Sequence, residues 1–154
     1  MPQVTSKVSI SAPFDLVWEL AQDVENFPQI MPDLDSVEVL EKSDSSPVTT
    51  RTVTQWKARI PQFGRTIEWT EEDIWNREAG DCHFWQLKGD FTQYKGLWKF
   101  RQNGDATELD LSIDYAFEIP LVGALMKKVM QKLMQGNVDM MADSLKMEAE
   151  RRAL

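Results

Sequence analysis

Cysteine and histidine are almost missing from this chain: its 154 residues hold one of each, Cys82 and His83, side by side. A single thiol excludes an intrachain disulfide and any Cys-based zinc site, and it makes a reducing, cytoplasmic compartment the default expectation. Adjacent residues of a strand point to opposite faces, so the two cannot serve as nucleophile and base. Nowhere does an apolar run reach membrane-spanning length, and no charged start followed by an apolar stretch opens the chain, so neither a span nor an export signal is expected. Basic charge is scarce: 17 Lys and Arg against 25 Asp and Glu leave a net charge of −8. Neutralising phosphates needs clustered Lys and Arg, so nucleic acid is excluded as a partner. There is no glycine-rich phosphate loop and no metal-ligand spacing, so no cofactor and no metal are expected.

What is abundant is apolar and aromatic. Hydrophobic residues make up 42% of the chain, enough for one core, and no linker or repeat divides residues 1–154, which reads as a single domain. Near the end, Val122, Leu125, Met126, Val129, Met130, Leu133, Met134, Val138, Met141 and Leu145 recur at helical spacing. A helix of about thirty residues is roughly 45 Å long, and its methionine-rich stripe needs a broad apolar partner. Gly136-Asn137 marks a bend or a thinned spot over a cavity. Lys127, Lys128, Lys132, Arg151 and Arg152 give this segment a mild basic bias. That bias reads as a solvated helix face, with peripheral docking to an anionic membrane or a protein as the alternative.

The partner surface is β. Val4, Val8 and Ile10 alternate with polar residues in a first strand, and Ser11-Ala12-Pro13 caps a short helix carrying Phe14, Val17, Trp18 and Ala21. A second helical turn or two follows over 23–31. Six further strands are predicted over 36–42, 49–60, 65–75, 82–88, 94–101 and 107–117, with Asn103-Gly104 as a hairpin turn. In the last strand Leu109, Leu111, Ile113, Tyr115 and Phe117 share one face, which demands one buried and one wet side. The fold class is therefore α+β: a curved, seven-stranded antiparallel sheet wrapped around a long C-terminal helix, with two short helices after strand one.

Ser9-Ile10-Ser11-Ala12-Pro13 through Val17-Trp18, the Asp23…Phe27-Pro28…Met31-Pro32 stretch, Gly89-Asp90-Phe91 leading to Gly96-Leu97-Trp98-Lys99-Phe100, and Lys132 to Asn137 resemble the START-like (SRPBCC) superfamily. Within it they are most similar to the polyketide cyclase and coenzyme-Q-binding branch. The resemblance covers nearly the whole chain and implies a helix-grip fold around an apolar tunnel. Such proteins include lipid carriers, quinone binders and aromatase/cyclases, so the fold alone selects no ligand.

Candidate site residues follow from facing. Trp98 and Phe100 share a face with Gly96, where a missing side chain opens room, and Tyr94 and Phe84 are read as inward with them. Gln86 is the polar member of that face and the candidate donor to a ligand oxygen. Trp56, Trp69 and Tyr115 join the wall from the other strands, while Met126, Met130 and Met134 supply a pliable helical side. Phe63, in the Pro61 to Gly64 turn, either covers a mouth or is a surface aromatic. His83 is assigned to the outer face with Trp85. Strand four carries Glu68, Glu71, Glu72 and Asp73 around Trp69 and Trp75. These form a solvated face paired with Arg51, Arg59 or Lys99, or else place an acid inward, where Glu71 or Glu72 could move protons.

Three functions remain open on the sequence: a non-catalytic container for a hydrophobic lipid, isoprenoid quinone or polycyclic aromatic; a cyclase or dehydratase using an inward carboxylate; and a protein-interaction module with a filled interior and an apolar patch on the helix. The first leads. Oligomeric state is not encoded in any pattern found.

Overall fold

A computed structural model describes residues 2–60, 64–117 and 124–154, without the side chains of residues 124–126. Its elements are β1 (Gln3–Ile10), α1 (Phe14–Gln22), a 3-10 turn (Val24–Asn26), α2 (Phe27–Ile30), β2 (Leu34–Asp44), β3 (Thr49–Ile60), β4 (Arg65–Asn76), β5 (Asp81–Gly89), β6 (Gln93–Asn103), β7 (Ala106–Ala116) and α3 (Ala124–Arg152). The strands form one antiparallel sheet in the order β1-β7-β6-β5-β4-β3-β2. Every strand boundary falls within two residues of its predicted position, because alternation of apolar and polar residues marks the half-buried segments.

Alternation also decides what the concave face holds. β7 buries Thr107, Leu109, Leu111, Ile113 and Tyr115 in turn, and β4 buries Ile67, Trp69, Glu71, Asp73 and Trp75. The other parity faces outward, including exposed His83 and Trp85 on β5. Between β4 and β5 the register slips at Thr70/Glu71, which sets Gln86 opposite Glu71 and Gly89 opposite Trp69. A Cβ at Gly89 would sit 2.5 Å from Trp69 Cβ, so only glycine lets the two backbones close here.

Packing corrects three local expectations. Pro13, not Ser11, is the N-cap of α1, and its extended backbone makes no side-chain cap. Instead Gln102 Oε1 accepts from the Phe14 amide at 2.8 Å, a tertiary contact replacing a local one. Gly96 does not open room: a Cβ there would meet the Phe84 ring at 2.2 Å, so Phe84 fills the space. α3 runs as one helix through Gly136, whose missing Cβ faces open space rather than the sheet.

α3 lies along the β1 edge and the α1 end of the sheet. Met130, Met134, Val138, Ala142, Leu145 and Ala149 are buried at helical intervals. Polar side chains on its flank satisfy the edge strand. Gln135 Nε2 donates to Thr5 O at 2.7 Å, Lys146 Nζ donates to Ser9 O at 2.5 Å, and Glu150 accepts from the Ser11 amide at 2.8 Å. The helix thus covers carbonyls that an open sheet edge would leave for other chains. Among the described residues no helix is long and apolar enough to cross a membrane.

Candidate functional site

Under α3, β3 to β7 and the segment before β2 enclose a cavity of about 730 Å³ of empty space counted out through its mouth, of which about 60 Å³ admits the centre of a water-sized sphere. The wall is chiefly aromatic and aliphatic: Trp56, Trp69, Phe84, Phe91, Tyr94 and Trp98 from the sheet side, with Ile60, Ile67, Leu111 and Ile113, and Met134, Val138, Met140 and Met141 from α3. The rings hold one another in place. Trp56 and Trp69, opposite each other across β3 and β4, stack at 5.7 Å, and Trp69 meets Tyr94 at 5.2 Å and Phe91 at 5.5 Å. A rigid stack of this kind presents flat apolar faces at low conformational cost.

Set into this wall is an acid. Glu71 lines the cavity and is 4% exposed, and Asp73, two residues along the same face, is 5% exposed. β3 supplies the partners, since Thr54 stands opposite Glu71 and Thr52 opposite Asp73. Asp73 Oδ2 accepts from Thr54 Oγ1 at 2.8 Å and from Thr52 Oγ1 at 3.0 Å. Thr54 Oγ1 in turn accepts from Trp56 Nε1 at 2.8 Å, while Glu71 Oε1 accepts from Trp69 Nε1 at 2.7 Å. Glu71 and Asp73 are joined by a hydrogen bond of their own. Burial, reinforced by the Asp73 charge, pushes the Glu71 carboxyl well above the ordinary carboxylate range. Burial raises Asp73 too, but its threonine and Glu71 hydrogen bonds oppose the rise. Of the two, Glu71 is raised the further and holds its proton to the higher pH, while the threonine hydroxyls favour the ionised form of Asp73. The same burial and the two acids raise the Tyr94 hydroxyl, which stays protonated and lines the cavity beside them.

The expected site residues divide. Trp56, Trp69, Phe84, Tyr94, Trp98 and Met134 border the cavity, as does Glu71. Glu72 does not: it points to the other face and pairs with Arg51 at 2.9 Å, so the acid beside Glu71 is Asp73. Gln86 is no free donor, because its amide clamps the turn after β5, donating to Phe91 O at 2.8 Å and accepting from the Phe91 amide at 3.3 Å. Phe100 is buried elsewhere, against Trp18 at 5.1 Å and stacked on Trp98. Tyr115 and Met130 are buried but off the described lining, and the Tyr115 hydroxyl has no partner among the described residues. Phe63 and the Met126 side chain lie outside the described residues. Asn137, at the position the sequence marks as a thinned spot over a cavity, does border it, whereas Phe91 and the small wall residue Ala58 border it without a signal in the sequence. Asp73, behind Glu71, had a signal in the shared parity of Ile67, Trp69 and Trp75. Among the described residues no group of His, Cys, Asp and Glu could hold a metal ion.

A curved sheet gripping a terminal helix, with an aromatic chamber between them, defines a helix-grip protein of the START-like class. The chain belongs to the polyketide cyclase/dehydrase and lipid transport family, whose pattern it matches over residues 10–142. It is similar to a Thermus thermophilus protein of known structure, at 31% identity with a TM-score of 0.89, covering 99% of this chain and 100% of that one. Two further solved structures share the fold. The Zhui aromatase/cyclase of Streptomyces sp. R1128 is 22% identical with a TM-score of 0.87, covering 99% and 96% of the two chains. A START superfamily protein from Mycobacterium smegmatis is 18% identical with a TM-score of 0.74, covering 97% and 98%.

Proposed function

We propose that this protein binds a hydrophobic, ring-bearing small molecule in the chamber between the sheet and α3, and does so in the cytoplasm. The observation that carries the reading is a wall of stacked aromatic rings interrupted by one buried carboxyl, Glu71, backed by Asp73, the arrangement of a site that encloses an apolar body and recognises a polar group. Affinity comes from apolar burial at roughly 25 cal/mol per Å², less the cost of ordering the guest. The small free interior, about 60 Å³, favours a compact guest over a long isoprenoid or acyl chain. Methionines on the helical side allow adjustment to a larger guest. An interaction module is less well supported, since the interior has room and, within described α3, Met147 alone among large apolar side chains is exposed.

Native mass spectrometry of the protein purified from its own host tests this. A bound neutral organic molecule, released by solvent extraction, is the expected result. Empty spectra, together with no heat of binding for naphthalene-sized compounds, would remove the reading. A second reading, a cyclase or dehydratase, is favoured by the inward carboxyl pair, where Glu71 could pass a proton to and from a folded polyketone. Its sign is turnover of a poly-β-ketone that Glu71→Gln abolishes while the ligand still binds.

A further inference from the structure

The chamber's polar chemistry specifies which end of a guest it will accept. All the donors to the Glu71–Asp73 pair are neutral: two threonine hydroxyls and the Trp69 indole, with Trp56 supporting Thr54. Among the described lining residues there is no Lys, Arg or His. Arg51, on the strand beside the pair, is turned outward and engaged by Glu72. Two threonine hydroxyls donating to Asp73 favour its ionised form, so the pair holds negative charge with no cation to offset it in a low-dielectric wall. Glu71 stands in the cavity lining, already accepting from the Trp69 indole, and its carboxyl brings acceptor oxygen to that wall.

We propose that the Glu71–Asp73 pair is the specificity element of this chamber: it admits guests whose buried polar end donates a hydrogen bond, a hydroxyl or an ammonium, and turns away carboxylates. The inference rests on the reading that the chamber holds a small molecule. A guest hydroxyl finds an acceptor in Glu71. An ammonium gains the pair's negative charge and the faces of Trp69 and Tyr94 as well. A guest carboxylate would bring a second negative charge against the first, with no buried cation to receive it.

Three compounds of one shape separate the outcomes: 2-naphthylmethanol, protonated 2-naphthylmethylamine and 2-naphthoate, titrated into the full chain at neutral pH by calorimetry. The alcohol and the amine should bind at least about tenfold more tightly than the carboxylate, since like-charge juxtaposition is strongly disfavoured. In the isosteric double variant Glu71→Gln/Asp73→Asn, which keeps the threonine hydrogen bonds but carries no charge, the preference should shrink to within about threefold. Naphthoate binding to the wild type as tightly as the alcohol overturns the proposal and leaves the chamber as a binding site. A folded double variant that keeps the full preference also overturns it. Silence of all three compounds instead overturns the reading of the chamber itself. The wild-type series decides even if the double variant does not fold.

Discussion

A buried carboxyl costs stability in its charged form, and Glu71 shows how one residue couples the fold to pH. Its folded value lies well above the ordinary 4.5 because burial penalises the anion. The unfolded chain gives up this proton at lower pH than the folded chain. Its stabilising share is therefore complete below about 4.5 and is lost as pH rises through the folded value. Glu71→Gln cannot ionise in either state, yet Gln can still accept from Trp69 and donate to Asp73. Its melting temperature should match the wild type in mild acid and rise above it progressively toward alkaline pH. A gap that stays constant across a circular-dichroism pH series would contradict the assignment.

At the scale of elements, α3 is a helix whose buried line matters more than its composition. Leu145 is fully buried where the helix closes on the sheet, and Met147, two residues on, is 73% exposed. Leu145→Ala should cost ~2–5 kcal/mol in denaturant unfolding, because it removes contacts and leaves a cavity. Met147→Ala should stay within about 0.5 kcal/mol. Comparable losses at both positions would mean that α3 is not docked as described. Its final turn is held by charge: Arg151 and Arg152 both engage Glu148 and pull that carboxyl down to about 2. The C-terminal share of the basic bias is thus tied up within the helix itself.

Over the whole molecule, a chamber lined by rings makes ligand binding and stability one measurement. A guest that binds the folded chain alone, present at a hundred times its Kd, adds ~2.7 kcal/mol of stability. Met134 reaches the chamber from α3 and is flexible. Met134→Trp should fill the space, weaken 2-naphthylmethanol by about tenfold or more, and remove most of the ligand-induced rise in Tm, while the unliganded chain loses no more stability than the ~1–3 kcal/mol of an overpacked core. Unchanged affinity in that variant would place the guest somewhere other than beneath α3.

The sequence by itself determined the order and extent of the strands, the amphipathic stripe of α3, the outward turn of His83 and the inward aromatics, because side-chain period and strand length are local properties. The inward face of β4 stayed open on the sequence, and packing decided it, burying Glu71 and Asp73 with Ile67, Trp69 and Trp75. Tertiary structure alone decided that Phe84 fills the space beside Gly96, that Gln86 is consumed by Phe91, and that Thr52 and Thr54 stand behind Asp73. Those outcomes depend on register between strands, on a bulge at Thr70/Glu71, and on which of two facing groups reaches the other first. The contacts between strands are not written in any one stretch of chain.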